Sequence, residues 1–175
     1  LGLATPMSIM VGTGRGAQAG VLVRNAEALE LMERVSTLVV DKTGTLTEGK
    51  PKLTSVAPAE GFDEAILLRL AASLEQASEH PLAAAIVRGA GERNVQLGQV
   101  EDFRSITGKG ASARVEGRSV AIGNGRLLED LSVDSIALVD RADKLRTEGQ
   151  TVMFVAVDGQ PAGLIGVSDP IKPST

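Results

Sequence analysis

Thr37-Leu38-Val39-Val40 is a short apolar run rich in β-branched side chains, and it leads straight into Asp41. Such a run reads as a strand buried on both faces, as in a parallel sheet. Asp41 then stands at the C-terminal end of that strand, where open α/β sheets place their chemistry. Gly44, Gly49 and Pro51 make the following stretch a loop. The combination predicts that residues 35–48 open a Rossmann-like α/β layer.

From about Lys52 the texture changes. Lys52 to Val56 suits a strand. Asp63 is placed to cap a helix, with Phe62 stapling onto Leu67 and an apolar stripe of Ile66, Leu67, Leu70 and Leu74. Pro81 suits the first position of a second helix. Val100–Ile106, Ser112–Val115 and Ser119–Ile122 read as strands, the last two joined at Glu116-Gly117. Residues 134–148 read as a helix, with Leu138, Ala142 and Leu145 on one face and Gly149 as its stop. Val152–Val157, Asp158-Gly159 and Gly163–Val167 form the clearest hairpin pattern in the chain. The middle of the sequence is thus predicted to be an α+β unit, an antiparallel sheet flanked by helices.

Composition narrows the function. The chain has 175 residues, three Phe and neither Trp nor Tyr, so stacking platforms for nucleic-acid bases are scarce. A net charge of -4 also argues against a polyanionic partner, and no nucleic-acid role is expected. With no cysteine there is no thiolate metal site. The apolar opening, Leu1 to Val11, is too short to span a bilayer, which takes about 20 residues. It reads as a buried helix or the end of a membrane helix, and the absence of an initiating methionine favours a segment of a longer protein.

Asp41 to Thr47 reads Asp-Lys-Thr-Gly-Thr-Leu-Thr. A carboxylate at a strand end can attack phosphorus and form an acyl phosphate. Two anions must then meet, so positive charge is required, and Lys42 with a magnesium ion would supply it. Gly44 allows close backbone approach to the phosphate, and Thr45 and Thr47 offer hydroxyls and amides to its oxygens. A bare Asp-x-Thr would read as a capped surface turn. Farther along, Glu79 and His80 precede the helix start at Pro81. An imidazole there can stack on or bond an adenine, and a carboxylate can accept from its amino group; the plainer reading is that His80 only caps the helix. Gly108-Lys109-Gly110 and Gly123-Asn124-Gly125 suit either ligand loops or ordinary turns. Gly108-Lys109-Gly110 lacks the spacing of a Walker A loop, and Gly12-Thr13-Gly14-Arg15-Gly16-Ala17 lacks the strand that a dinucleotide fingerprint needs. Met7 and Met10 are read as packing residues, not copper ligands.

The seven-residue string matches the phosphorylation signature of P-type ATPases at every position. Leu3-Ala4-Thr5-Pro6, Asn25 to Glu30, Ser78-Glu79-His80-Pro81-Leu82, the two glycine loops and Asp169-Pro170-Ile171-Lys172 extend the resemblance across nearly the whole chain. The sequence is most similar to the heavy-metal branch, and within it to bacterial copper(I) exporters. The resemblance implies a catalytic set of Asp41, Lys42 and Thr43. It implies magnesium held by Asp41 and Thr43 with a further aspartate outside this chain. ATP would be bound by Glu79, His80, Gly108, Gly110, Gly123 and Asn124. It implies a membrane connector over residues 1–34, the first part of a phosphorylation domain over 35–48, an inserted nucleotide domain over 49–165 and the return over 166–175. The phosphorylation domain would be incomplete. The whole protein would be a multi-pass protein of the cytoplasmic membrane exporting Cu(I), with this segment facing the cytosol and no cargo ligand in this chain.

Three other readings remain. Zinc or cadmium is the alternative cargo. A soluble aspartate-nucleophile phosphatase would usually carry a second acid where Thr43 stands. A nucleotide-binding module without turnover is the third, and it is what the chain alone is expected to be, since the nucleophile's strand needs parallel neighbours to hold it.

Overall fold

The computed structural model describes residues 2–173; Leu1, which opens the apolar run, and Ser174 and Thr175, which close the expected return segment, lie outside it. The chain forms two compact units, Leu1–Val40 and Asp41–Thr175.

The first unit holds two helices. α1 spans Ala4–Gln18 and contains the whole Gly12 to Ala17 stretch, so those glycines lie within a helix and not between a strand and a helix. It buries no residue, and Met7, Met10 and Val11 are exposed. No helix among the described residues is long and apolar enough to cross a membrane. α2 spans Ala26–Glu33, and the Asn25 side chain caps it by accepting from the Ala28 N–H at 2.9 Å. The strand expected over Thr37–Val40 is not formed. Leu38 is 73% exposed and Val39 91%. A strand needs a neighbour for its N–H and C=O groups. The six strands among the described residues join in one antiparallel sheet that does not include this run.

The second unit is built on that sheet. Its strands are β1 (Lys52–Pro58), β2 (Val100–Ile106), β3 (Gly110–Val115), β4 (Arg118–Gly123), β5 (Thr151–Val157) and β6 (Gln160–Ser168), in the order β1-β6-β5-β4-β3-β2. β6 runs past residue 165 and pairs with β1 as far as Lys52 opposite Ser168. The β3–β4 and β5–β6 turns fall on Glu116-Gly117 and Asp158-Gly159, as the sequence predicts. All four residues have positive φ, between 50° and 81°, which matches the twist of a tight hairpin.

Side chains alternate between two cores, as a pleated sheet requires. Val155, Val157 and Ile165 face one way, against α3 (Glu64–Glu75) and α4 (Pro81–Glu92). Phe154, Ala156 and Leu164 face the other, against α5 (Gly125–Asp130) and α6 (Ile136–Thr147). Asp63 caps α3 by accepting from the Ala65 and Ile66 N–H groups. The buried stripe of α3 is Leu67, Leu68, Leu70, Ala71 and Leu74, whereas Ile66, expected within it, is 49% exposed. Ile66 lies in the first turn at the edge of a stripe centred on Leu67, Leu70 and Leu74. α5 is a helix where the sequence suggested only a loop. Leu138 and Ala142 of α6 are buried, Leu145 packs at the margin, and Gly149 ends the helix at φ 81°.

Candidate functional site

Asp41 is exposed at the start of the second unit, followed by one irregular turn over Lys42–Leu46. Gly44 has φ 76°, a conformation that glycine adopts without strain. Thr47 is fully buried and organises the turn. Its hydroxyl oxygen accepts from the Gly44 N–H at 3.0 Å and donates to the Asp169 carboxylate at 2.5 Å. That carboxylate also accepts from the Gly49 and Lys50 N–H groups. The Lys172 ammonium donates to the Gly44 carbonyl at 2.7 Å, and Thr47 bridges Ile171. The Thr47 hydrogen bond, backed by the two amides and the charge of Lys42, holds the Asp169 carboxyl below its ordinary pKa. Asp169 and Lys172 thus tie the two crossings of the chain together at the turn that carries Asp41.

The second place is a cavity of about 370 Å³ at the end of β2, β3 and β4, beside the α3–α4 loop. Pockets of this size hold small ligands. Of the residues expected to contact a nucleotide, His80, Gly108, Gly110, Gly123 and Asn124 line it. Glu79 is exposed and does not. The acid that does is Glu75, the last residue of α3, which is only 7% exposed. Burial raises its pKa, while the Ser78 side-chain hydrogen bond and the nearby His80 ring pull it back.

His80 does cap α4: its Nδ1 accepts from the Leu82 N–H at 3.2 Å. The cap does not exhaust the ring. It fixes Nδ1 as the acceptor, so a neutral imidazole carries its proton on Nε2. The plain and the functional readings of His80 are therefore compatible.

The glycines answer a packing demand. Gly110 pairs with Gly123 across β3 and β4. A Cβ on Gly110 would stand 2.1 Å from the Ile122 carbonyl oxygen, and one on Gly123 would stand 2.1 Å from that of Lys109. Asn124 clamps the two loops together. Its side-chain amide donates to the Gly108 carbonyl at 2.9 Å, its N–H donates to the Lys109 carbonyl at 2.8 Å, and its side-chain oxygen accepts from Leu127 at 3.2 Å to cap α5. The result is a rigid cavity wall at which a ligand can approach bare backbone.

Residues 35–175 match the model of the haloacid dehalogenase-like hydrolases. The whole chain is 59% identical to a copper-exporting P-type ATPase of Legionella pneumophila and covers 24% of that protein's length. The chain belongs to the haloacid dehalogenase-like hydrolases and, within them, to the heavy-metal P-type ATPases. Among solved structures it is similar to a zinc-transporting PIB-type ATPase, with a TM-score of 0.77, 36% identity, and coverage of 97% of this chain and 27% of that one. It is also similar to the catalytic domain of the CPx-ATPase CopB-B, studied for its conformational changes upon nucleotide binding, with a TM-score of 0.60, 25% identity, and coverage of 92% of this chain and 54% of that one. The family's members are ATP-hydrolysing metal transporters. The chain spans about a quarter of the length of the copper-exporting relative.

Proposed function

We propose that the second unit binds ATP in the cavity between the α3–α4 loop and the two glycine loops. In the longer protein, Asp41 then takes the terminal phosphoryl group. The observation that carries this reading is convergence: His80 from one loop and Gly108, Gly110, Gly123 and Asn124 from two others line one cavity with a buried carboxylate. The His80 ring stacks on or bonds adenine, Glu75 accepts from its amino group, and the bare backbone at Gly108 and Gly110 lets the phosphates approach. Glu79 keeps at most a place at the rim.

For phosphoryl transfer, an Asp41 carboxylate oxygen bonds to the γ-phosphorus as the bond from that phosphorus to the β–γ bridging oxygen breaks. ADP leaves with the electron pair, and an aspartyl phosphate remains. Lys42 offsets charge there, and Thr43 replaces the acid that a phosphatase would use to protonate a leaving group. Asp41 is a hard oxygen donor of the kind magnesium takes, and it would hold the ion with Thr43. When bound, the ion neutralises phosphate charge. The remaining ligands would come from the nucleotide and an acid elsewhere in the longer protein.

We assign residues 49–168, the expected 49–165 extended to the end of β6, to the nucleotide domain, 35–48 and 169–175 to the phosphorylation domain it interrupts, and 1–34 to a connector from the membrane. Cu(I) is the proposed cargo of the whole multi-pass pump, with zinc as the second reading because a zinc-transporting relative shares the fold of this segment. Calorimetric titration of ATP into the chain, with and without magnesium, tests the central claim. Binding without turnover is the expected result, and no binding refutes it.

A further inference from the structure

Among the residues lining the cavity, Lys109 is the only lysine or arginine. A nucleoside triphosphate carries several negative charges, so this ammonium is the natural partner for them. It is already engaged: its Nζ forms an ion pair with the Asp130 carboxylate at the end of α5. Both side chains are partly in water, 36% and 52% exposed. Ion pairs in such surroundings add little to stability and exchange partners readily. The frame around the pair is rigid by comparison. Asn124 caps the start of α5 while bonding the carbonyls of Gly108 and Lys109, so the helix bearing Asp130 and the loop bearing Lys109 are fixed to each other.

We propose that Asp130 holds Lys109 as an exchangeable partner, and that nucleotide phosphate must displace Asp130 to reach Lys109. Asp130 is then an internal competitor that weakens binding of the polyphosphate without touching recognition of the base. The inference rests on the ATP reading above. It goes beyond that reading by making affinity depend on the charge of the phosphate chain through one named pair.

Adenosine and ATP binding to the 175-residue chain, measured by calorimetry at low ionic strength, test it. Lys109→Met is expected to weaken ATP about five- to tenfold and leave adenosine unchanged, on the scale of one ordinary lost hydrogen bond because the ammonium is partly in water. Asp130→Asn is expected to tighten ATP about two- to fivefold, on the scale of an exposed pair. Combining the two should abolish that gain, because no ammonium remains to be freed. Glu129→Gln removes a charge from the same helix and should have no such effect. A gain from Asp130→Asn that persists without Lys109, or that Glu129→Gln reproduces, would reduce Asp130 to general repulsion and overturn the proposal. So would weaker ATP binding in Asp130→Asn. If adenosine binds normally but neither Lys109→Met nor Asp130→Asn changes the ATP-to-adenosine ratio, only the Lys109–Asp130 assignment falls. If the unmodified chain binds neither ligand, the nucleotide reading falls and takes this inference with it.

Discussion

Glu75→Gln separates the stability of the cavity from its function. The Glu75 carboxyl is 7% exposed, and burial is the largest influence on it, raising its pKa above the ordinary 4.5. A raised carboxyl pKa means that the fold prefers the protonated form. Its contribution is therefore most favourable below about pH 4.5 and is lost as the pH rises through the folded value. At pH 7 the charged form costs the fold stability. Glutamine has the same shape, keeps an oxygen that can accept from Ser78 and carries no charge. The expected gain is about 1 kcal/mol at pH 7, the low end of the cost of a poorly compensated buried polar group, because Ser78 and His80 already offset part of it. That corresponds to a rise of about 3 °C in the unfolding midpoint. Binding should move the other way. A neutral amide accepts from the adenine amino group less strongly than a carboxylate, by about 1 kcal/mol, so ATP affinity should fall about fivefold. Thermal unfolding from pH 4 to pH 8 and ATP calorimetry read both effects. The variant's advantage should grow with pH. A variant no more stable than the parent at pH 7, or one that binds ATP as tightly, would refute the role given to Glu75.

His80→Ala should weaken ATP by about 1–2 kcal/mol through the lost ring contact, and calorimetry on the chain reads it. Gly110→Ala should lower the unfolding midpoint and disturb the cavity, since its Cβ would meet the Ile122 carbonyl oxygen at 2.1 Å; a well-folded variant with full ATP affinity would contradict the geometry. The Asp169 carboxyl is held below its ordinary pKa of 3.8 by Thr47 and two amides, so its stabilisation is present above that value and lost as the pH falls through the lower folded one. Asp169→Asn should therefore be less stable than the parent at neutral pH, with the gap closing in strong acid in urea titrations. In the full-length pump, Asp41→Asn should abolish the acid-stable phosphoenzyme formed from labelled ATP, because an amide is not a nucleophile.

The sheet was legible because its signals are local. Glu116-Gly117 and Asp158-Gly159 name their own turns, and the alternation in Val152–Val157 names two faces. Asp63 and Pro81 mark helix starts by chemistry that acts within one turn. α5 was hidden because Gly125–Asp130 is too short for helical periodicity to register, and glycines flank its Asn124 cap. The Thr37–Val40 run failed for the opposite reason. Its composition is that of a buried strand, but a strand forms only against a partner, and composition does not supply one.

The candidate site shows the same divide between local and distant signals. On the residues alone the glycine loops read equally as turns and His80 as a helix cap; the family resemblance singles them out, and they do line one cavity. In the sequence Glu79 draws attention because it adjoins His80 within the Ser78 to Leu82 motif. Adjacency misleads there, since the segment from Gln76 to Glu79 is a loop that turns Glu79 into solvent. A usable signal was present one helix earlier. Leu67, Ala71 and Glu75 follow one another at four-residue spacing, so they lie on one face of α3. Leu67 and Ala71 are fully buried. A carboxylate that continues an apolar stripe has no reason to be there for the sake of the fold, because burying it works against stability. An acid placed against that gradient is a better guide to a ligand than an acid beside a histidine, and on that ground we propose Glu75, not Glu79, as the acid at the adenine.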